Sequence, residues 1–275
     1  MGMNPTRVQS ASSINMYKQC PRKYFYRYIA KLPTKPSIHT TRGTIVHSVL
    51  EDFYDTEFTD GVPVGDKLIA QSMQLLDKHW TAKDQELKSL GLNKHELQNF
   101  YEESKIMVHS WVFQFLHKLS AHAREHEGDL LRAFDDMKPI REGKYVSDSY
   151  SVMGFIDAIE THTGKIRLMD YKTSKKDQIT EEYRLQLGLY SLLYHDKHRT
   201  MPDEVGLYLL KHGERVLPVT QELIDLAKFE VEMIHMNTQS KNIRDYPKHV
   251  SPLCKWSSGQ CDFYETCFGK TLNDY

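Results

Sequence analysis

The sequence predicts an α/β fold: a central mixed sheet flanked by helices, with a helical insertion and a cysteine-bearing tail. Three observations carry this. Residues 152–160 and 165–172 read as two short strands joined by the turn Thr161-His162-Thr163-Gly164, a polar, glycine-containing break between β-prone runs. A second hairpin pattern, 204–211 and 214–219, turns at His212-Gly213. Helical patterns lie before and between these hairpins, at 67–125 and 180–195, and such alternation places helices on the faces of a sheet.

The chain has 275 residues, 40% of them hydrophobic and 27% charged. This is enough for a sizeable core, and we expect a single domain over 1–275. The net charge of -1 excludes a chain whose overall charge draws it to nucleic acid, so any basic contact surface must be local. No run of 18 apolar residues occurs, so no transmembrane helix is expected. Residues 1–13 have no apolar core and one basic residue, Arg7. Neither a secretory signal nor a transit peptide is indicated, and a cytoplasmic location with reduced thiols is expected.

Taken in order, 10–13 (Ser-Ala-Ser-Ser) signals a helix start. The short helix that follows places Ile14 and Tyr17 on one face and runs to Cys20-Pro21, where Pro21 suits the first position of a second helix. That helix, 22–30, spaces Tyr24, Phe25, Tyr28 and Ile29 as core, with Arg22, Lys23 and Arg27 between them. These basic residues read as a solvated face or as phosphate contacts on a groove rim, Arg22 foremost. Residues 32–41, with two prolines, read as a loop. A helix over 43–54 follows, with Ile45, Val49 and Phe53 on one face. His47 and Glu51 are four apart on it and so are neighbours, a spacing that suits one ligand and its supporting partner. The helices from 67 to about 125, divided near Gly91 and Asn93, form an insertion or cap over 60–128 that shows no chemistry of its own. Residues 130–145 are a loop or helix and then a strand. After the first hairpin, Thr180 caps a helix that puts Gln186 and Tyr190 on one face. The second hairpin, a last helix to about residue 242 and an irregular tail from 246 complete the chain.

The chemistry centres on the first hairpin. Asp170 and Lys172 are two apart and so point to one side of a strand, and a bend or small register shift brings Asp157 to the same end. Two carboxylates and an amine at one point suit metal-assisted phosphodiester hydrolysis: the acids hold a hard divalent cation and the lysine serves the attacking water or the phosphate. Taken alone, Asp-x-Lys is a common surface ion pair, and only its company raises it above that. The second chemical signal is four cysteines, Cys20 and the trio Cys254, Cys261 and Cys267. Four thiols at the two ends of a chain suggest one site that ties the termini together, over 246–275 with Cys20. Zinc sites usually show close Cys-x-x-Cys pairs, whereas the spacers in the trio are six and five residues, which favours an iron–sulfur cluster. Trp256, Phe263, Tyr264 and Phe268 are placed to shield it.

The combination of Ser12-Ser13, Cys20-Pro21-Arg22-Lys23-Tyr24, Gly43-Thr44-Ile45-Val46-His47, Gly154-Phe155-Ile156-Asp157, Asp170-Tyr171-Lys172-Thr173 and Gln186-x-x-x-Tyr190 resembles the RecB-like branch of the PD-(D/E)XK nuclease superfamily. The cysteines resemble those of its iron–sulfur variants, the AddB-type helicase-nucleases and the CRISPR-associated exonucleases. The resemblance implies a restriction-endonuclease-like sheet. It implies that His47, Asp157, Asp170 and the Tyr171 carbonyl bind Mg²⁺ or Mn²⁺, that Lys172 acts with the metal-held water, and that Gln186 and Tyr190 brace the site and contact DNA. It implies a [4Fe-4S] cluster on Cys20, Cys254, Cys261 and Cys267. The expected activity is a DNA exonuclease working from single-stranded ends; the alternatives are an endonuclease or flap nuclease of the same fold, or a non-catalytic DNA-end-binding accessory protein. No Gly-x-x-x-x-Gly-Lys-Ser/Thr occurs, so a helicase or recombination partner is expected to supply any motor.

Overall fold

The computed structural model describes residues 6–59, 61–125, 127–162, 164–257 and 259–269. Ser10 opens helix α1 (Ala11–Gln19), its side chain accepting the Ser13 amide while Ser13 returns the bond to the Ser10 amide, a reciprocal cap that satisfies two orphan donors. Pro21 opens α2 (Pro21–Tyr24), which passes directly into a π-helical turn, Phe25–Ile29. Helix α3 spans Ile38–Asp52, five residues earlier than the sequence pattern suggests. The Ser37 side chain accepts the Thr40 amide and so sets the start ahead of Gly43. Helices α4 (Val64–Ala82), α5 (Asp84–Ser89), α6 (Lys94–Arg124) and α7 (Leu130–Asp136) follow. Asn93, near the expected division, is the α6 cap and forms a capping box with Glu96. The strands are β1 (Ile140–Ser147), β2 (Val152–His162), β3 (Lys165–Lys172), β4 (Glu204–Leu209) and β5 (Gly213–Pro218), with α8 (Glu181–His198) between β3 and β4 and α9 (Gln221–Asn237) after β5. Two-residue strands β6 (Lys255–Trp256) and β7 (Gly259–Gln260) and the short α10 (Tyr264–Phe268) lie in the tail.

The five strands form one mixed sheet in the order β1-β2-β3-β4-β5. Only the β3–β4 pair is parallel within it, and α8 makes the crossover that a parallel pair requires. Two apolar layers cover its faces. One joins Leu168, Val205, Leu207 and Leu209 to α8, α9 and the aromatic residues of the N-terminal helices. The other joins Ala158, Met169, Tyr171 and Tyr208 to α3, α4 and α6. The insertion is therefore part of the core: Trp111 and Phe115 of α6 pack edge-on against Phe53, with ring centroids 4.9 and 5.2 Å away. Without those aromatics the second face of the sheet would stand in water, which a mixed sheet with a buried strand pair does not tolerate.

One irregularity positions the site. Ile156 and Ala158 are two apart on β2, which on a regular strand puts them on the same face. Here Ile156 belongs to the α8 layer and Ala158 to the α3–α6 layer. Across the ladder, Glu142 of β1 has φ 46°, the left-handed region that non-glycine residues rarely enter. Both strands thus turn over at Glu142 and Asp157, and the acids stand at the bend.

Candidate active site

The ladder register places three acids in a row. Arg141 pairs with Ala158 and Gly143 with Ile156, which sets Glu142 opposite Asp157. Ala158 pairs with Met169, so one step further sets Asp157 opposite Asp170. The β2–β3 ladder does not continue through that step in the usual way, because the Tyr171 amide donates to Asp157 Oδ2 at 2.7 Å. The carboxylate is thereby fixed at the bend. From α3, His47 Nδ1 approaches the same oxygen at 3.3 Å. Burial opposes protonation of His47, but the hydrogen bond and charge of Asp157 outweigh it and hold the imidazole above its ordinary value.

Asp170 is 2% exposed and is held from the opposite side. Gln186 Nε2 donates to its Oδ1 at 2.9 Å, and the Tyr190 hydroxyl donates to the same oxygen at 3.1 Å. Gln186 also donates to the Tyr190 oxygen at 2.7 Å. The four-residue spacing on α8 is what lets both side chains reach one atom. The other oxygen, Oδ2, lies 2.5 Å from Lys172 Nζ, yet has no hydrogen bond of ordinary angle among the described residues. We read this contact as an ion pair, because two buried opposite charges at this separation attract whatever the angle. Burial pushes the Asp170 carboxyl up, Lys172 pulls it down and Asp157 pushes it up again. Burial likewise works against the Lys172 charge, and Asp170 and Asp157 more than restore it. The net result is a cleft with more carboxylate than cation.

The crowding extends to Glu142, which sequence reasoning did not single out. Burial, followed by the charges of Asp157 and Glu51, pushes its carboxyl up to about 7. His47, Glu142 and Asp157 each offer a ligand atom, and these atoms lie within 4.8 Å of one another. Asp170 lies outside that trio. The cleft they share has a volume of 350 Å³ and is also lined by Gly43, Thr44, Ser48 and Glu51. Excess negative charge and a half-buried imidazole at one point fit a divalent cation, whose charge relieves the repulsion. The only local signal for Glu142 is its position in a short strand facing the Asp157 strand, and that becomes informative once the pairing register is known.

Other expected positions fall differently. Glu51 lines the cleft, but among the described residues the bond from His47 Nδ1 goes to Asp157. Arg22 is not on a groove rim: it is 8% exposed and donates from Nε to the Tyr246 carbonyl at 2.7 Å. Its guanidinium satisfies backbone that the tail would otherwise bury unpaired, because Tyr246 packs into the N-terminal aromatic cluster. Lys23 bonds Gln19, and Arg27 bonds Thr34. Around the cysteines, Phe263 is buried, whereas Trp256 and Phe268 are 48% and 43% exposed and do not form the expected shield.

The four cysteines are free thiols, each half-buried. The Cys261 amide donates to the Cys254 carbonyl at 2.9 Å. Burial raises the thiols of Cys261 and Cys267; Cys20 adds to both shifts and Cys254 to that of Cys267, so the two ends of the chain meet here. Among the described residues no three thiols bring their sulfurs within 4.8 Å of one another.

The family profile of the PD-(D/E)XK nuclease superfamily matches residues 9–268, from the residue before the cap of α1 to the last turn of α10. The chain belongs to this superfamily of nucleases, which supports a hydrolytic nuclease. It is 24% identical over 239 residues to the Gene 69 protein of Mycobacterium phage D29, covering 82% of this chain and 83% of the phage protein. It is 23% identical over 207 residues to one of the subunits of the ATP-dependent helicase/deoxyribonuclease of Carboxydothermus hydrogenoformans; the match takes in 69% of this chain and 18% of that larger protein. A solved structure from Eubacterium rectale, described as a candidate exonuclease, superposes with a TM-score of 0.50 at 11% identity, over 96% of this chain and 94% of that one. That likeness is one of fold. No helix among the described residues is long and apolar enough to cross a membrane.

Proposed function

We propose that this chain is a Mg²⁺- or Mn²⁺-dependent DNA exonuclease that works from single-stranded ends. The observation that carries the reading is the meeting of His47, Asp157, Asp170 and Lys172 at the bend of the sheet, with Gln186 and Tyr190 bracing Asp170 from α8. His47, Asp157, Asp170 and the Tyr171 carbonyl hold the cation. When bound, the cation polarises a phosphate oxygen and lowers the pKa of its water. Lys172 orients that water or offsets charge on the phosphate. The Tyr171 amide and the α8 pair keep both carboxylates from swinging. The similarity to part of a helicase/deoxyribonuclease supports a motor protein as partner, in recombination or repair.

We further propose that Cys20, Cys254, Cys261 and Cys267 hold a [4Fe-4S] cluster that fastens the tail to the N-terminal helices. The convergence of the four thiols from both ends of the chain supports it.

The test is digestion of end-labelled single-stranded, double-stranded and circular DNA with Mg²⁺ or Mn²⁺. Single-stranded linear DNA is expected to be shortened from an end and circular DNA spared. Cutting of circles would mean an endonuclease, and binding without cutting would mean an accessory protein. Asp170→Asn and Lys172→Ala should each lower the rate by at least ~100-fold with the fold intact, in line with the contribution of one catalytic group. Wild-type rates in either variant would end the assignment.

A further inference from the structure

We infer that Glu142 is a further ligand of the divalent cation, forming with His47 and Asp157 a shell on the β1 side of the site. This rests on the nuclease reading above. Three structural facts carry it. The pairs Arg141–Ala158 and Gly143–Ile156 bracket Glu142 and Asp157, so the strand pairing, and not a chance side-chain pose, brings the two acids to one level of the sheet. The candidate ligand atoms of His47, Glu142 and Asp157 already lie within 4.8 Å of one another. Three ligands spread about one ion at about 2.1 Å stand about 3–3.6 Å from one another, so side-chain shifts on the order of 1 Å complete the shell. Finally, the Glu142 carboxylate makes no hydrogen bond or ion pair with any other described residue, although it stands beside another acid in a shared cleft. Crowded acids without a compensating partner are unfavourable in an empty protein and favourable around a cation.

The donor set also defines the ion. Two carboxylates and one imidazole suit Mn²⁺ better than Mg²⁺, because the nitrogen donor matches the softer ion while Mg²⁺ prefers all-oxygen shells. Asp170, outside the trio and tied to Lys172, Gln186 and Tyr190, would complete the protein's share of the ligands. Glu142 therefore governs how tightly the ion is held before DNA arrives.

Mn²⁺ binding to the full chain without DNA, followed by the loss of the free-ion electron paramagnetic resonance signal, tests this apart from activity. Glu142→Gln keeps the shape of the side chain and is expected to weaken Mn²⁺ binding at least tenfold, with the metal-free melting temperature unchanged or raised. Excess Mn²⁺ should then restore cleavage. Glu142→Asp, which keeps the charge on a shorter arm, is expected to bind with intermediate affinity, and it serves as the reporting variant should the amide fail to fold. Mn²⁺ affinity within twofold of wild type in Glu142→Gln, or in Glu142→Asp where that variant reports, overturns the inference while leaving the nuclease reading standing. A wild-type chain that neither binds Mn²⁺ nor cuts DNA removes both.

Discussion

At the scale of single residues, the site is held by groups whose job is to keep a carboxylate still. Asp170 Oδ1 receives two donors from one face of α8, and hydrogen bonds to a charged acceptor contribute about 1.5–3 kcal/mol each. Tyr190→Phe removes one donor and leaves Gln186, so we expect activity to fall about tenfold with little change in melting temperature. Gly154 is needed for the same brace. A Cβ there would stand 3.0 Å from Tyr190 Cε1 and 3.2 Å from Leu193 Cδ1, so Gly154→Ala must push the Tyr190 ring. The expected cost is about 1–3 kcal/mol of stability, as for overpacking elsewhere, with activity falling by more than in Tyr190→Phe. Denaturant unfolding and steady-state rates on the two variants check the order. A fully active Gly154→Ala would show that the ring position does not matter. The motif spacing made Gln186 and Tyr190 legible in advance. Glu142 was not, because no local pattern marks a residue whose role comes from a strand partner 15 positions away.

At the scale of elements, the fold joins its insertion to the site through charge as well as packing. Glu103 of α6 takes Arg42 Nη1 of α3 at 2.7 Å and Lys211, just past β4, at 2.9 Å, while Arg42 Nη2 reaches the Thr173 carbonyl beside Lys172 at 3.3 Å. The Lys211 bond, helped by the charges of Lys211 and Arg42 against burial, holds the Glu103 carboxyl below its ordinary value of 4.5. A carboxyl lowered in the folded state contributes stability at pH values above its ordinary one, and that contribution is lost as pH falls through the folded value. Melting temperature should therefore drop as pH is lowered below about 4.5, and Glu103→Gln should blunt part of that drop. Because the Glu103 side chain is 40% exposed, its own share is under about 1 kcal/mol. Equal pH profiles for the two chains would remove Glu103 from the account. Helix boundaries set by caps, such as Ser10 and Thr180, were readable from sequence because a cap is a local bond. The start of α3 at Ser37 was hidden by two nearby prolines that read as loop.

At the scale of the whole molecule, two distant segments meet at the cysteines and where Arg22 binds the Tyr246 carbonyl. Cys20→Ser should abolish broad visible absorbance and bound iron and lower the melting temperature by several degrees, since a structural metal site contributes folding energy directly. A colourless wild-type protein carrying zinc would replace the cluster with a different clasp.

The sequence by itself determined the α/β class, the hairpin that bears Asp157, Asp170 and Lys172, and the helix that presents Gln186 and Tyr190. Each of these depends on periods of two or about four residues, which local sequence records. Only the tertiary structure decided that the strands turn over at Glu142 and Asp157, that Glu142 joins His47, that Arg22 points inward, and that the insertion supplies much of one of the two core layers. Those outcomes depend on which distant surfaces pack together, and packing follows from the register of strands and the area buried between layers, neither of which a local pattern encodes.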